Sequence, residues 1–376
     1  MEKNASNSEL FLENNNKYLG YLLRFRLIRL LFRLNPRICR YYSEYKAEDN
    51  PEKKNNLCAK VLDAYQELLL WRIRIWFRNV IEDVAVLFRQ FGKRKTLDYS
   101  KKNQKDYYSI AVIVKNEARY IEEFILFYQA TGADRIYIYD NESDDNLLKV
   151  LDPYIKNGFV VYRFWPGQKV HTAAYRDAVR RTKRRTKWLA LVDADEFLFS
   201  PDEQTNLVLK KYEEYPGIGV NWVMFGPNGH MKRPEGLVMD NYTTTLEEKN
   251  ALYNCLTKSV VQPKRVLCVS HTHYAIYKRK RFPVDTCKNL IDNTNAFIEK
   301  AGRAFTSENR RDVLRINHYR TKSLEELEEK CSRGYADGSP KAGYQRLLQL
   351  YDAPLVEDHS IKPYADIVRE KLGIRE

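Results

Sequence analysis

The stretch Lys187-Trp188-Leu189-Ala190-Leu191-Val192-Asp193-Ala194-Asp195-Glu196-Phe197 decides the fold. Its apolar run, Trp188 to Val192, reads as a strand buried on both faces, as parallel strands of α/β sheets are. Three carboxylates, Asp193, Asp195 and Glu196, follow where that strand should end. Open α/β sheets bind ligands outside the carboxyl ends of their strands. Acidic residues two apart at such a place can converge on a hard cation through oxygen ligands. The plainer use of the same residues is a polar loop or an acidic helix cap. The surrounding sequence weighs on that choice.

Upstream, the chain alternates. Ile110 to Val114 reads as a strand, and a helix from about Arg119 to Thr131 ends at Gly132. Arg135 to Tyr139 is the next strand, followed by a helix to Ile155 that stops near Gly158. Phe159 to Phe164 makes a third strand, and a helix over about Thr172 to Arg185 delivers the chain to Trp188. This alternation predicts an α/β fold, a Rossmann-like and mostly parallel sheet flanked by helices, with right-handed crossovers. Carboxylates close three of the strand ends: Glu117, then Asp140 with Asp144, then Asp193 with Asp195. If those strands are neighbours, their loops share one crevice. No G-x-G-x-x-G, Walker lysine loop or G-x-S-x-G elbow is present, which argues against dinucleotide, P-loop and α/β-hydrolase chemistry.

The net charge of +14 is unevenly spread. Residues 1–105 hold 22 Lys and Arg against 12 Asp and Glu; the rest of the chain holds 42 and 38. In that basic region Tyr18 to Leu34 has a helical pattern, with Leu19, Leu23, Leu27, Leu30, Leu31 and Leu34 on one stripe and Arg26, Arg29 and Arg33 opposite. Such a helix suits an anionic membrane surface, or packs on the protein with its arginines solvated. A second apolar-rich stretch, Leu57 to Phe91, reads as one or two further helices and includes Trp71, Trp76 and Phe77. Arginines interrupt the early apolar run, so it falls short of the roughly 20 apolar residues a membrane span needs. Six scattered cysteines without a C-x-x-C pair fit reduced thiols in a cytosol. Basic density without any recognition motif gives no reason to expect a nucleic-acid partner.

From residue 108 to 335 the chain resembles a glycosyltransferase of the GT-A fold, in the group that includes glycosyltransferase family 92 and its bacterial relatives. Val114-Lys115-Asn116-Glu117-Ala118 is similar to the opening motif, and Tyr139-Asp140-Asn141-Glu142-Ser143-Asp144-Asp145 to the acidic loop on the nucleotide side. Ala174-Tyr175-Arg176-Asp177 resembles the helix before the metal strand, and Val192-Asp193-Ala194-Asp195-Glu196-Phe197 the D-x-D signature. Trp222 to His230, Lys258-Ser259-Val260-Val261, Val269 to His273 and Ile316-Asn317-His318-Tyr319 follow in the family's order. The three parts expected are a basic helical region over 1–105, a GT-A domain over 106–345 and a C-terminal tail over 346–376.

The resemblance implies an inverting transfer from a nucleotide sugar, a UDP-sugar with UDP-galactose as one candidate. The acceptor would be a glycan or lipid-linked saccharide in surface polysaccharide or lipopolysaccharide synthesis. It implies Mn2+ or Mg2+ held by Asp193 and Asp195, with His318 completing the site. Lys322, Lys330 and Arg333 are the implied diphosphate contacts, and Asp140 and Asp144 face the nucleoside. Lys115, Glu117 and Arg176 belong to the same donor-side motifs. The general base is expected in the loop after the strand of about Ile218 to Phe225, which offers His230, Glu235 and Asp240. Glu235 and Asp240 are the expected bases there, and Glu196 is a further candidate. The expected location is cytoplasmic, peripheral at the inner face of a membrane. A different class, a membrane-docked scaffold with a glycosyltransferase-like fold and no turnover, would have no need of Asp193, Asp195 and His318 together.

Overall fold

The computed structural model describes residues 36–50, 95–101, 103–247, 254–269, 271–278, 282–291, 311–333 and 355–374. It also describes scattered positions at 53, 54, 56–58, 60, 61, 77, 79–86, 88 and 306. The helix expected over Tyr18 to Leu34, with Arg26, Arg29 and Arg33, lies outside the described residues, as do Trp71 and Trp76. The chain divides into two compact units. The first comprises residues 1–84 with 292–303. Its described part includes helix α1 (Pro36–Ala47), where the Lys46 ammonium lies 4.8 Å from the centre of the Tyr42 ring.

The second unit, residues 85–291 with 304–376, holds the sheet. Its elements run β1 (Thr96–Leu97), β2 (Asp106–Val114), α2 (Ile121–Ala130), β3 (Arg135–Asp140), α3 (Leu147–Lys156), β4 (Val160–Phe164), α4 (His171–Thr182) and β5 (Thr186–Leu191). Then come β6 (Glu196–Phe199), α5 (Thr205–Lys210), β7 (Gly217–Met224), α6 (Val238–Asn241), β8 (Thr244–Leu246), β9 (Thr257–Val261), β10 (Val266–Val269) and β11 (Ala275–Tyr277). Last are β12 (Arg315–His318), α7 (Leu324–Arg333), β13 (Leu355–Glu357) and α8 (Lys362–Leu372). Nine strands form one sheet in the order β1-β4-β3-β2-β5-β9-β7-β12-β6.

The block β4-β3-β2-β5 is parallel throughout, as the alternation of strands and helices requires. The chain starts at β2, builds outward to β3 and β4, then crosses back to lay β5 on the other side of β2. That reversal opens a crevice at the carboxyl ends of β2 and β5. Beyond β5 the sheet is mixed: β9 is antiparallel to both β5 and β7, and β12 is parallel to β7. The ends of β5, β7 and β12 therefore open on the same edge.

The two-sided burial read from the sequence is real. Tyr108, Ile110, Val112, Trp188 and Ala190 pack into a core on one face, while Ala111, Ile113, Leu189 and Leu191 pack into a second on the other. Period-two alternation within a wholly apolar run fills both faces. Gly132 adopts φ +84° after α2, a conformation that favours glycine, and a Cβ there would also come within 2.7 Å of the Asn206 side chain, which would have to move. The C-terminal tail read from the sequence is instead, over 355–374, a strand and a helix of this unit. β13 pairs antiparallel with β8. Tyr364, Ala365 and Val368 give α8 a buried stripe, and the Tyr364 ring lies edge-on to Phe127 and Phe199.

Candidate active site

The acidic loop leaves β5 at Val192, whose N–H donates to the carbonyl of Ala111 on β2 at 3.1 Å. It turns at once, Glu196 N–H donating to the Asp193 carbonyl at 3.1 Å, and enters β6. Asp193 is held from several sides. Lys258 Nζ lies 2.8 Å from Oδ2, His171 Nε2 lies 3.1 Å from Oδ1, and the Tyr175 hydroxyl is 3.0 Å from Oδ1. The Asp193 N–H donates to Glu196 Oε2 at 2.9 Å. Burial alone would push the Asp193 carboxyl up, but Lys258 and His171 outweigh it and hold it well below the usual carboxylate range. Glu196 is wholly buried and goes the other way. Burial pushes its carboxyl well above the ordinary value, Lys258 only partly opposes this, and the charges of Asp193 and Asp195 add to it.

Asp195 meets a second set of groups. Lys330, on α7, places Nζ 2.5 Å from Oδ2 and also donates to the Arg320 carbonyl at 3.1 Å. His318, the last residue of β12, stands opposite Glu196 in register and brings Nε2 to 3.5 Å from Asp195 Oδ1. Burial would push the Asp195 carboxyl up, yet Lys330 and His318 hold it well below its usual range. Burial likewise lowers the pKa of His318, which Asp195 only partly offsets, so the imidazole is neutral. Its ring is fixed by Trp222, 4.3 Å away between centres, and Trp222 has His273 5.0 Å away.

The loops that follow β2 and β3 are bonded to each other. Asn116 N–H donates to Ser143 Oγ at 3.0 Å, Asp144 N–H to Asn116 Oδ1 at 3.0 Å, and Ala118 N–H to Asp145 Oδ2 at 2.8 Å. Asp144 is exposed at the rim. Asp140 is turned inward, accepting from the Ser143 N–H at 2.9 Å and the Tyr162 hydroxyl at 2.7 Å, so it braces the loop. Lys115 is exposed and Arg176 half-buried on α4. Lys322 sits at φ +50°, its ammonium 3.4 Å from the centre of the Tyr120 ring and 3.9 Å from Glu117 Oε2. Arg333 closes α7, and its side chain lies outside the described residues.

The expected bases lie apart from this cluster. Glu235 is 93% exposed and pairs with Arg119 at 3.1 Å. Asp240 pairs with Arg369 on α8 at 3.0 Å. His230 is half-buried, edge-on to Tyr242, and its carbonyl accepts from the Leu324 N–H at the start of α7 at 3.2 Å. Sequence reasoning gave no role to Lys258, His171 or Tyr175. Lys258 and Tyr175 lie in motifs that match the family, and a lysine inside the otherwise uncharged strand Thr257-Lys258-Ser259-Val260-Val261 was a further signal.

Among the described residues no group of three or more His, Cys, Asp and Glu side chains is arranged to hold a metal ion unaided. The reason is that Lys258, His171 and Tyr175 engage Asp193, so Asp193, Asp195 and His318 do not form a three-ligand cage. Asp195 and the neutral imidazole of His318 do converge. Ions of the Mg2+ type are commonly held by one or two carboxylates together with substrate phosphates, and a ligating imidazole must be unprotonated. That pair fits a divalent cation arriving with a diphosphate.

The profile of glycosyltransferase family 92 matches residues 107–335. A family 92 protein of Oryza sativa subsp. japonica is 31% identical over 169 residues, covering 44% of this chain and 29% of that protein. One of Ricinus communis is 25% identical over 235 residues, 60% of this chain and 38% of that protein. The chain thus spans less than two-fifths of the length of these curated relatives. Solved structures with some likeness include a Staphylococcus aureus TarS fragment in complex with UDP-GlcNAc, at TM-score 0.32 and 11% identity over 71% of this chain and 73% of that one. Another is a mannosyltransferase of Pyrobaculum calidifontis in complex with GDP-Man and Mn2+, at TM-score 0.32 and 12% identity over 81% and 80%. The matched span runs from β2, which opens the crevice, to α7, which brings Lys330 to Asp195, and by that match the chain belongs to glycosyltransferase family 92.

Proposed function

We propose that this chain is a metal-dependent inverting glycosyltransferase that moves a sugar from a nucleotide-sugar donor, a UDP-sugar, to a hydroxyl of a glycan or lipid-linked saccharide. The observation that carries the reading is the convergence of Asp195 and neutral His318 beside the Lys330 ammonium, at the strand ends where an α/β sheet binds ligands. Asp195 and His318 would hold a divalent cation. When bound, the ion would offset the negative charge that develops on the leaving diphosphate. Lys330 now neutralises Asp195; with the donor in place its ammonium is free to turn to a phosphate oxygen. Lys322, fixed over Tyr120, adds a second cation at the crevice.

In the transfer itself, the acceptor oxygen forms a bond to the anomeric carbon as the bond from that carbon to the diphosphate oxygen breaks. The hydroxyl proton passes to a base and the nucleoside diphosphate leaves with the bonding electrons. His230 is the base this reading favours. Glu235 is nearly all in solvent and both acids pair with arginines, whereas His230 is half-buried against Tyr242 and tied through its carbonyl to the start of α7. A panel of nucleotide sugars incubated with the protein and Mn2+ tests the proposal. Release of nucleotide from one or a few donors, stopped by EDTA and restored by Mn2+, is the expected outcome. Release from none, with or without acceptor saccharides, would overturn it.

A further inference from the structure

Lys258 poses a question that the donor site does not answer. It lies on β9, between β5 and β7, and is fully buried. A lysine in such a place is expelled or loses its proton unless its charge is matched. Here Nζ lies 2.8 Å from Asp193 Oδ2 and 3.5 Å from Glu196 Oε1, above the Tyr175 ring at 5.9 Å. The Asp193 carboxylate is the nearest counter-charge to the Lys258 ammonium in that buried space. The two aspartates are consequently not equivalent. Both oxygens of Asp193 are engaged from inside the fold, Oδ2 by Lys258 and Oδ1 by His171 and Tyr175. Asp195 is engaged by His318 and by Lys330, whose side chain is 26% exposed and free to leave toward solvent.

We propose that Lys258 is the positioning residue of the acidic loop, a cation built into the sheet that takes Asp193 as its counter-ion and so aims Asp195 at His318. Asp193 then anchors the loop, and Asp195 alone of the two meets an incoming cation. The second half of this statement rests on the donor-site reading above; the first half does not. Lys258 faces Asp193 from inside the fold and Lys330 faces Asp195 from the solvent side. A divalent ion at Asp195 therefore needs only to displace Lys330, and the anchor at Asp193 stays as it is.

Two variants, Lys258→Met and Lys258→Met with Asp193→Asn, test this by amide hydrogen exchange and by Mn2+ affinity in the presence of UDP, read from the paramagnetic signal of the free ion. In the single variant, exchange over residues 192–197 should rise at least about tenfold while β3 stays protected, and Mn2+ affinity should fall about tenfold or more, as when groups that orient a metal ligand are removed. The double variant removes both charges, so exchange and Mn2+ affinity should return to within about threefold of wild type. Unchanged exchange over 192–197 in the single variant would overturn the positioning role, and so would a rise shared equally by β3. A double variant whose Mn2+ affinity stays as low as the single one would make Asp193 a ligand and overturn the division of labour. Should Lys258→Met fail to fold, the double variant decides alone. If wild type with UDP binds no Mn2+, the donor-site reading fails and the aim of Asp195 at an incoming ion fails with it, while the exchange measurements still decide whether Lys258 orders the loop.

Discussion

At the scale of single residues, the site is a contest between carboxylates and cations in a buried space. His318 is the clearest test. Its imidazole is held neutral and faces Asp195. His318→Ala should weaken Mn2+ affinity about tenfold or more, since loss of a ligand should cost at least what loss of a group that orients one does. A lowered melting temperature with an unchanged Mn2+ titration would instead make it a packing partner of Trp222. The base is separable in the same manner. His230→Ala should depress transfer about a hundredfold with little change in donor binding, because the proton moves only in the chemical step. Glu235→Gln and Asp240→Asn should stay within a few-fold of wild type; a hundredfold loss in either would move the role there. That Asp195 and His318 would meet was legible because carboxylates at a strand end and a histidine in a matched motif carry a local signal. Lys258 was not. Its partners lie some sixty residues earlier in the chain, and only the antiparallel pairing of β9 with β5 brings them together.

At the scale of elements, period and punctuation did most of the work. Apolar runs near 110, 136, 161 and 189 became strands, with helices between them, because in each case the alternation feeds two cores at once. What local pattern did not reveal was the mixed half of the sheet. The neighbours of β9 and β12 are set by long connections, not by adjacent turns. Nor did sequence show how the loop between β7 and α6 is fastened. Glu123, buried on α2, accepts the N–H groups of Val238 and Met239 at 2.9 and 3.0 Å and so holds the start of α6. Burial raises its pKa from 4.5 to about 7, against the pull of those two N–H groups. A carboxyl that binds its proton more tightly when folded favours the fold at low pH, and that contribution is lost as pH rises from the unfolded value to the folded one. Between pH 4.5 and 7 this group alone should remove about 3 kcal/mol of stability. Urea unfolding at pH 5 and 7.5 should therefore show a smaller difference for Glu123→Gln than for wild type. Equal differences would mean that Glu123 ionises at its ordinary value in the fold.

At the scale of the whole molecule, the basic N-terminal region and the sheet unit make separable claims. Among the described residues no helix is long and apolar enough to cross a membrane. The spacing of arginines and leucines in the sequence from Tyr18 to Leu34 nonetheless predicts attraction to anionic lipid, about 1 kcal/mol for each arginine near the surface. The chain of residues 1–376 should float with phosphatidylserine vesicles at low salt, and reversing the charges of Arg26, Arg29 and Arg33 should abolish flotation. A wild-type chain that stays at the bottom of the gradient would remove the membrane from the account. The central claim lies in the sheet unit and is simpler to reach: Asp195 holds the cation that makes a nucleotide sugar reactive. The direct measurement is Mn2+-dependent nucleotide release from the preferred donor by wild type and by Asp195→Asn, with both proteins shown to unfold at similar temperatures. The amide should reduce release to background, because it lacks the charge to hold the ion beside the diphosphate. Release by Asp195→Asn within a few-fold of wild type would contradict the account.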